Sequence, residues 1–326
     1  MTPMHDRLQD LLESGEVDGL HAAVAVHRGR TVLEYYGSGE DFAWGRPLGE
    51  VDFAPETLHD VRSVTKSVTA LLYGIALGEG LVASPAEPLL PSFPQYPDLA
   101  ADPERARLTV EHALTMSLGL EWREDLPYTT PENAEVAMEL APDRYRYVLE
   151  RPVVEPPGVR WSYCGGASVL IGGLIARGTG MPLQEYGQKM LFEPLGIESF
   201  EWMAGHDGVV SPASGLRLAS RDLAKIGELV LADGLWDGRQ VVSAEWVRRM
   251  LEPRLSTGGG RYGYGWYIES AQGHRMVAGM GNGGQRLYVL PDLGLVVAVV
   301  AGNYDAPDQW RTPNTVLERA VLPEMA

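Results

Sequence analysis

The sequence predicts a mixed α/β (α+β) protein, an antiparallel sheet flanked by helices with an all-α lobe inserted between its strands. Two observations carry this. Strand patterning is confined to the two ends of the chain, over 20–36 and 262–301. Between them, 82–214 shows helical spacing and proline punctuation without strand alternation. Short alternating or continuous apolar runs mark strands, and i, i+3, i+4 spacing marks helices. The expected organisation is an α/β lobe from 1–81 and 215–326, an α-helical lobe from 82–214, and an active site between them.

In chain order, 6–14 is an amphipathic helix with Leu8, Leu11 and Leu12 on one face. Residues 20–27 form a strand, Arg28-Gly29-Arg30 a turn and 31–36 the returning strand, which makes a hairpin. A looser segment rich in Gly, Pro and acids runs to Thr57. Ser63 then opens an apolar helix that stops at Gly80. Prolines punctuate 84–103, and 109–117 is a short helix with Thr109 as N-cap and His112 in the position of the usual capping-box acid. Helices are expected at 134–140 and 145–151, from about Gly166 to Arg177, and at 183–192.

In the last third, Ser220 and Ser243 cap helices over 220–231 and 243–251. Strands follow at 262–270, 275–280 and 287–290. The turn 291–294 leads into Leu295-Val-Val-Ala-Val-Val-Ala301, a continuous apolar run that fits a central strand covered on both faces. A helix over 313–322 closes the chain.

Composition narrows the function. With 27 basic against 44 acidic residues the formal charge is −17, which repels phosphate backbones and anionic lipid, so neither nucleic acid nor membrane is expected as a partner. Hydrophobic content of 45% and charged content of 22% fit an ordinary globular protein. The single cysteine, Cys164, allows no internal disulfide and no thiolate zinc cluster. The seven histidines are scattered without metal-ligand spacing, so no metal or other cofactor is expected. No apolar signal core opens the chain, and a cytoplasmic location is the default expectation.

The chemistry centres on Ser63-Val-Thr-Lys66. A serine and a lysine at i and i+3 share one helical face, so the amine can reach the hydroxyl and activate it as a nucleophile. The plainer reading makes Ser63 a helix cap and Lys66 a surface charge. Lys66 is one of only three lysines, with Lys189 and Lys225. Chance alone places such a motif in about one chain in seven of this composition.

Four stretches in order resemble the serine β-lactamase and penicillin-binding-protein superfamily, in its class C-like branch of esterases and 6-aminohexanoate-dimer hydrolase-like amidases. They are Val61-Arg-Ser-Val-Thr-Lys-Ser-Val-Thr69, Leu114-Thr-Met-Ser-Leu-Gly-Leu-Glu-Trp122, 215–224 with Leu235-Trp-Asp-Gly-Arg-Gln240, and Gly281-Asn-Gly-Gly-Gln-Arg-Leu-Tyr-Val-Leu-Pro291. The resemblance implies a β-lactamase/transpeptidase-like fold and a serine hydrolase that cleaves small esters or amides through an acyl-enzyme on Ser63. It implies Lys66 and Tyr163 as general base and acid, and the backbone N–H groups of Ser63 and Asn282 as oxyanion hole. A phenol beside an ammonium is expected to have a lowered pKa. Trp122, Tyr128, Gly165, Trp266, Gly281, Gly283 and Gln285 are candidate pocket residues.

Two positions depart from the family's pattern. Gly165 replaces the asparagine of its Tyr-x-Asn element, and the basic residue of its Lys-Thr-Gly or His-x-Gly element is missing from 277–280. His274, Arg275 or Arg286 could supply that cation. The alternatives are a β-lactamase or D-Ala-D-Ala-peptidase-like activity, or a catalytically silent binding or scaffold protein on the same fold. A GxSxG hydrolase is excluded, because no such motif occurs. Gly279-Met-Gly-Asn-Gly-Gly284 matches a nucleotide fingerprint, but a strand and not a helix is expected after it.

Overall fold

Alternating and continuous apolar runs at the two ends of the chain build one eight-stranded sheet. The computed structural model describes residues 3–325. Across the sheet the order is Leu255–Ser256, Arg261–Tyr262, Tyr267–Ala271, His274–Gly281, Gln285–Leu290, Leu295–Ala301, Leu20–His27 and Arg30–Tyr36. Every neighbouring pair is antiparallel. The N-terminal hairpin thus joins the C-terminal strands through the pairing of Leu20–His27 with Leu295–Ala301.

Leu295–Ala301 is buried along its whole length because both faces are covered. Side chains alternate across a strand. Val296, Ala298 and Val300 enter one core with helix Ser220–Leu231 and the helix that follows Ser63. Leu295, Val297 and Val299 enter a second with helix Pro3–Glu13 and the helical turns 316–321. The first core continues without a break into helices Val110–Leu114, Arg144–Leu149 and Gly165–Thr179, through Leu114, Val148, Leu170 and Leu174.

Local signals mostly hold. Thr109 and His112 make the expected reciprocal cap, and Ser243 caps Ala244–Met250. The cap at Ser220 does not form: Ala219 holds the cap position and makes no side-chain cap bond. The looser segment before Thr57 contains a hairpin, Ser38–Ala43 with Arg46–Asp52, whose second strand is almost wholly exposed and so lacks apolar alternation. The single strand expected over 262–270 is two, because Gly265 at φ 74° turns the chain between them. Among the described residues no helix is long and apolar enough to cross a membrane.

Candidate active site

Helix Val64–Gly78 is apolar around most of its circumference and buried from Val64 to Ala76, which fixes its first turn rigidly under the cleft. Ser63 holds its N-cap position, yet its side chain makes no cap bond. The hydroxyl is turned to chemistry instead: Lys66 Nζ lies 3.0 Å from Ser63 Oγ. The same ammonium donates to the Ala213 carbonyl at 3.0 Å and to Glu135 Oε2 at 3.4 Å. Lys66 is 3% exposed, which ends the reading of it as a surface charge. Arg62, just before Ser63, has φ 48°, a strained conformation for an arginine that turns the chain sharply into the helix.

Strand His274–Gly281 forms the facing wall. A Cβ at Gly281 would lie 2.5 Å from the Val61 carbonyl, so only glycine lets the strand approach the residues leading to Ser63. That approach brings Asn282 beside Ser63 at the rim of two adjoining cavities. Its side chain is tied to Asp305, donating to Oδ1 at 2.7 Å and accepting from the Asp305 N–H at 2.9 Å.

Tyr163 precedes helix Gly165–Thr179 and lines the larger cavity together with Ser63. Its ring lies 5.0 Å from Lys66 Nζ. The lowered phenol expected from sequence is not found. Burial and the charges of Glu124 and Glu135 hold Tyr163 well above the ordinary tyrosine value. Burial works to depress Lys66, but Glu135 and Glu124 outweigh it and hold it above the usual lysine range. The resting site therefore contains an ammonium and a neutral phenol.

Ser63 stands between the two cavities. One, of about 390 Å³, is lined by Phe42, Trp44, Val136, Leu140, Ser214 and Tyr304. The other, of about 530 Å³, is lined by Tyr163, Tyr267, Met280, Gly281, Arg286 and Trp310. Tyr128 borders both.

The other pocket candidates lie elsewhere. Trp266 is fully buried in the main core and lines neither cavity. Gln285 is fully buried and acts as a brace, donating to the Ala301 carbonyl at 2.7 Å and to the Asn282 carbonyl at 3.1 Å. Trp122 stands behind the cleft and donates to Glu124 Oε2 at 2.6 Å. Gly283 donates its N–H to Gln309 Oε1.

Of the three possible cations, only Arg286 lines the cleft, donating to the carbonyls of Gly281 (3.0 Å) and Gln285 (2.8 Å). His274 is paired with Asp292, and Arg275 donates to the Leu251 carbonyl. Sequence reasoning missed Glu124 and Glu135. Glu124 lies in a polar stretch and Glu135 near the start of an amphipathic helix, and nothing local marks either as buried.

The histidines are less scattered in space than in sequence. His21, Asp41 and His59 bring donor atoms within 4.8 Å of one another, all buried. His59 Nδ1 donates to the Asp60 carbonyl (2.9 Å), so its Nε2 accepts from His21 Nδ1 (3.0 Å). Arg217 Nη2 faces Asp41 Oδ2 at 3.5 Å. Both Asp41 oxygens are buried without a hydrogen-bond partner, and His59 Nε2 lies 3.5 Å from Asp41 Oδ1.

Comparison with known proteins shows what the chain is similar to. The chain is 23% identical over 332 residues to 6-aminohexanoate-dimer hydrolase of Paenarthrobacter ureafaciens, covering 95% of this chain and 77% of that protein. It is 28% identical over 186 residues to esterase EstB of Burkholderia gladioli, covering 52% of this chain and 45% of the esterase. Its fold matches the octameric penicillin-binding protein homologue from Pyrococcus abyssi with a TM-score of 0.70 at 22% identity, over 96% of this chain and 76% of that one. The Beta-lactamase family model matches residues 4–318, and the chain accordingly belongs to the beta-lactamase family of hydrolases.

Proposed function

We propose that the protein is a serine hydrolase that cleaves small esters or amides through an acyl-enzyme on Ser63. The observation that carries this reading is the uncapped Ser63 hydroxyl, 3.0 Å from a buried ammonium and open to both cavities. An activated hydroxyl needs a proton acceptor within reach, and Lys66 with Tyr163 provides the route. Ser63 attacks the carbonyl carbon, and the backbone N–H groups of Ser63 and Asn282 receive the oxyanion. Tyr163 lines the larger cavity and protonates the leaving group there. The acyl group then occupies the apolar cavity beside Phe42, Val136 and Leu140. Water attacks the ester along the reverse proton route. The relatives' activities, on an aminohexanoate dimer and as an esterase, point to the same two substrate classes.

Arg286 replaces the family's missing cation and favours substrates with a carboxylate on the leaving side. The test is a burst of acyl-enzyme with p-nitrophenyl butyrate and labelling by a fluorophosphonate read by mass spectrometry. Both are expected in the wild type and absent in Ser63→Ala. Equal bursts in the two proteins would sink the assignment. A panel of esters, short amides and nitrocefin then ranks the substrate classes.

A further inference from the structure

Two carboxyl groups stand directly behind the nucleophile's lysine. Glu135, at the start of helix Ala134–Leu140, is buried and reaches Lys66 Nζ at 3.4 Å. Glu124 comes from the loop after Trp122. Its Oε2 accepts from Trp122 Nε1 at 2.6 Å and from the Gly165 N–H at 2.7 Å, and its Oε1 accepts from Tyr128 at 2.9 Å. The two carboxyl groups crowd the same point beside Gly165. Buried beside a second carboxylate, Glu124 is pushed toward its protonated form. Gly165 makes the room: a Cβ there would lie 2.1 Å from Glu135 Oε2 and 3.2 Å from Glu124 Oε2. The carboxyl pair therefore fills the space that opens when the family's asparagine is absent.

We propose that the Glu135–Glu124 pair stores the proton that Ser63 releases on acylation, reached through Lys66. The inference rests on the reading of Ser63 as nucleophile and deepens it. Lys66 passes an Nζ proton to Glu135 Oε2, and the freed lone pair takes the proton of Ser63 Oγ. The Oγ–carbon bond forms as the carbonyl π pair moves onto oxygen. Lys66 begins and ends as an ammonium, Glu135 becomes neutral, and the negative charge moves onto the substrate oxyanion. When the carbon–leaving-group bond breaks, the stored proton returns along the same chain. An ammonium has no lone pair, so at neutral pH Lys66 alone cannot accept the serine proton. Glu135 Oε2, 3.4 Å away, gives the Nζ proton an uphill but available acceptor.

The titrating and charged neighbours are Lys66, Glu124, Glu139, Tyr128, Tyr163, Tyr262, Cys164 and Arg286. Burial, then Glu135, pushes Glu124 up to about 8, whereas Lys66 overcomes burial to hold Glu135 below the usual carboxylate value. The proton accordingly rests on Glu124, and Glu135 is the open acceptor.

The test measures the acylation rate from p-nitrophenyl butyrate bursts between pH 6 and 10 in wild type, Glu135→Gln, Glu135→Asp and Ser63→Ala. Wild type is expected to acylate at a nearly constant rate from pH 6 to 8. Glu135→Gln is expected to be slower by about 10²-fold at pH 7 and to recover about tenfold per pH unit, as its lysine must now lose a proton first. Glu135→Asp keeps the charge and is expected to keep the wild-type profile shape. A uniform loss across pH in Glu135→Gln assigns the residue a packing role and overturns the proposal, as does an unaltered rate. Thermal unfolding shows whether each variant is folded, and the aspartate variant carries the test should Glu135→Gln fail to fold. A burst that survives in Ser63→Ala defeats the nucleophile assignment. Loss there with a wild-type profile in Glu135→Gln defeats only the proton store.

Discussion

Glu135 Oε2 occupies the space that a side chain at position 165 would need, 2.1 Å from where the Cβ would stand. Glycine at 165 and glutamate at 135 are thus a matched pair. Gly165→Ala is expected to push Glu135 off Lys66, slow acylation at least tenfold and cost about 1–3 kcal/mol through overpacking. Burst kinetics and urea unfolding of the single variant check both numbers.

Arg286 lines the larger of the two cavities beside Ser63. Its replacement by Met is expected to raise KM for an ester with a carboxylate on the leaving group about tenfold more than for the neutral ester. Equal losses on the two esters would remove Arg286 from substrate recognition.

Arg144 is fully buried and clamps Glu139 (3.1 Å), Asp207 (2.5 Å) and the Val209 carbonyl (2.7 Å). Removing one member leaves buried charge without a partner. Arg144→Met is expected to destabilise by about 3–5 kcal/mol in urea unfolding.

Stability should depend on pH in two opposite senses. Burial, then His59, lowers His21 to about 4, and burial lowers His59 to about 3. Below pH 6.5 the unfolded chain binds protons that the native imidazoles refuse, so their contribution is lost as pH falls. His21→Phe should therefore gain on wild type progressively from pH 6.5 to 4. Glu124 works the other way: raised to about 8, it keeps a proton that the unfolded chain releases above 4.5. Its contribution is lost as pH rises from 4.5 to 8, and Glu124→Gln should gain on wild type across that window. Denaturant titrations at unit pH steps resolve both trends, and parallel curves for variant and wild type would refute them.

The features legible in sequence were those set by near neighbours. Ser63 and Lys66 share a helix turn, His112 completes a cap three residues from Thr109, and the run 295–301 announces a strand covered on both faces. The features that stayed hidden depend on distant contacts. Glu135 meets Lys66 across 69 positions, and nothing in Asn133-Ala134-Glu135 separates a buried carboxylate from a solvated one. Trp266 and Gln285 are pocket candidates by family resemblance, yet one fills the core and the other braces a turn. The exposed hairpin 38–52 has no apolar period to read.

The unbroken core beneath the cleft has a mechanical consequence. Helices Val64–Gly78 and Gly165–Thr179 share buried neighbours from Leu71 and Leu72 to Leu170 and Leu174. Spreading the walls would tear that contact and wet several leucines, each at about 1.5–3 kcal/mol. The helix that follows Ser63 and the helix that follows Tyr163 are thus held together by one core.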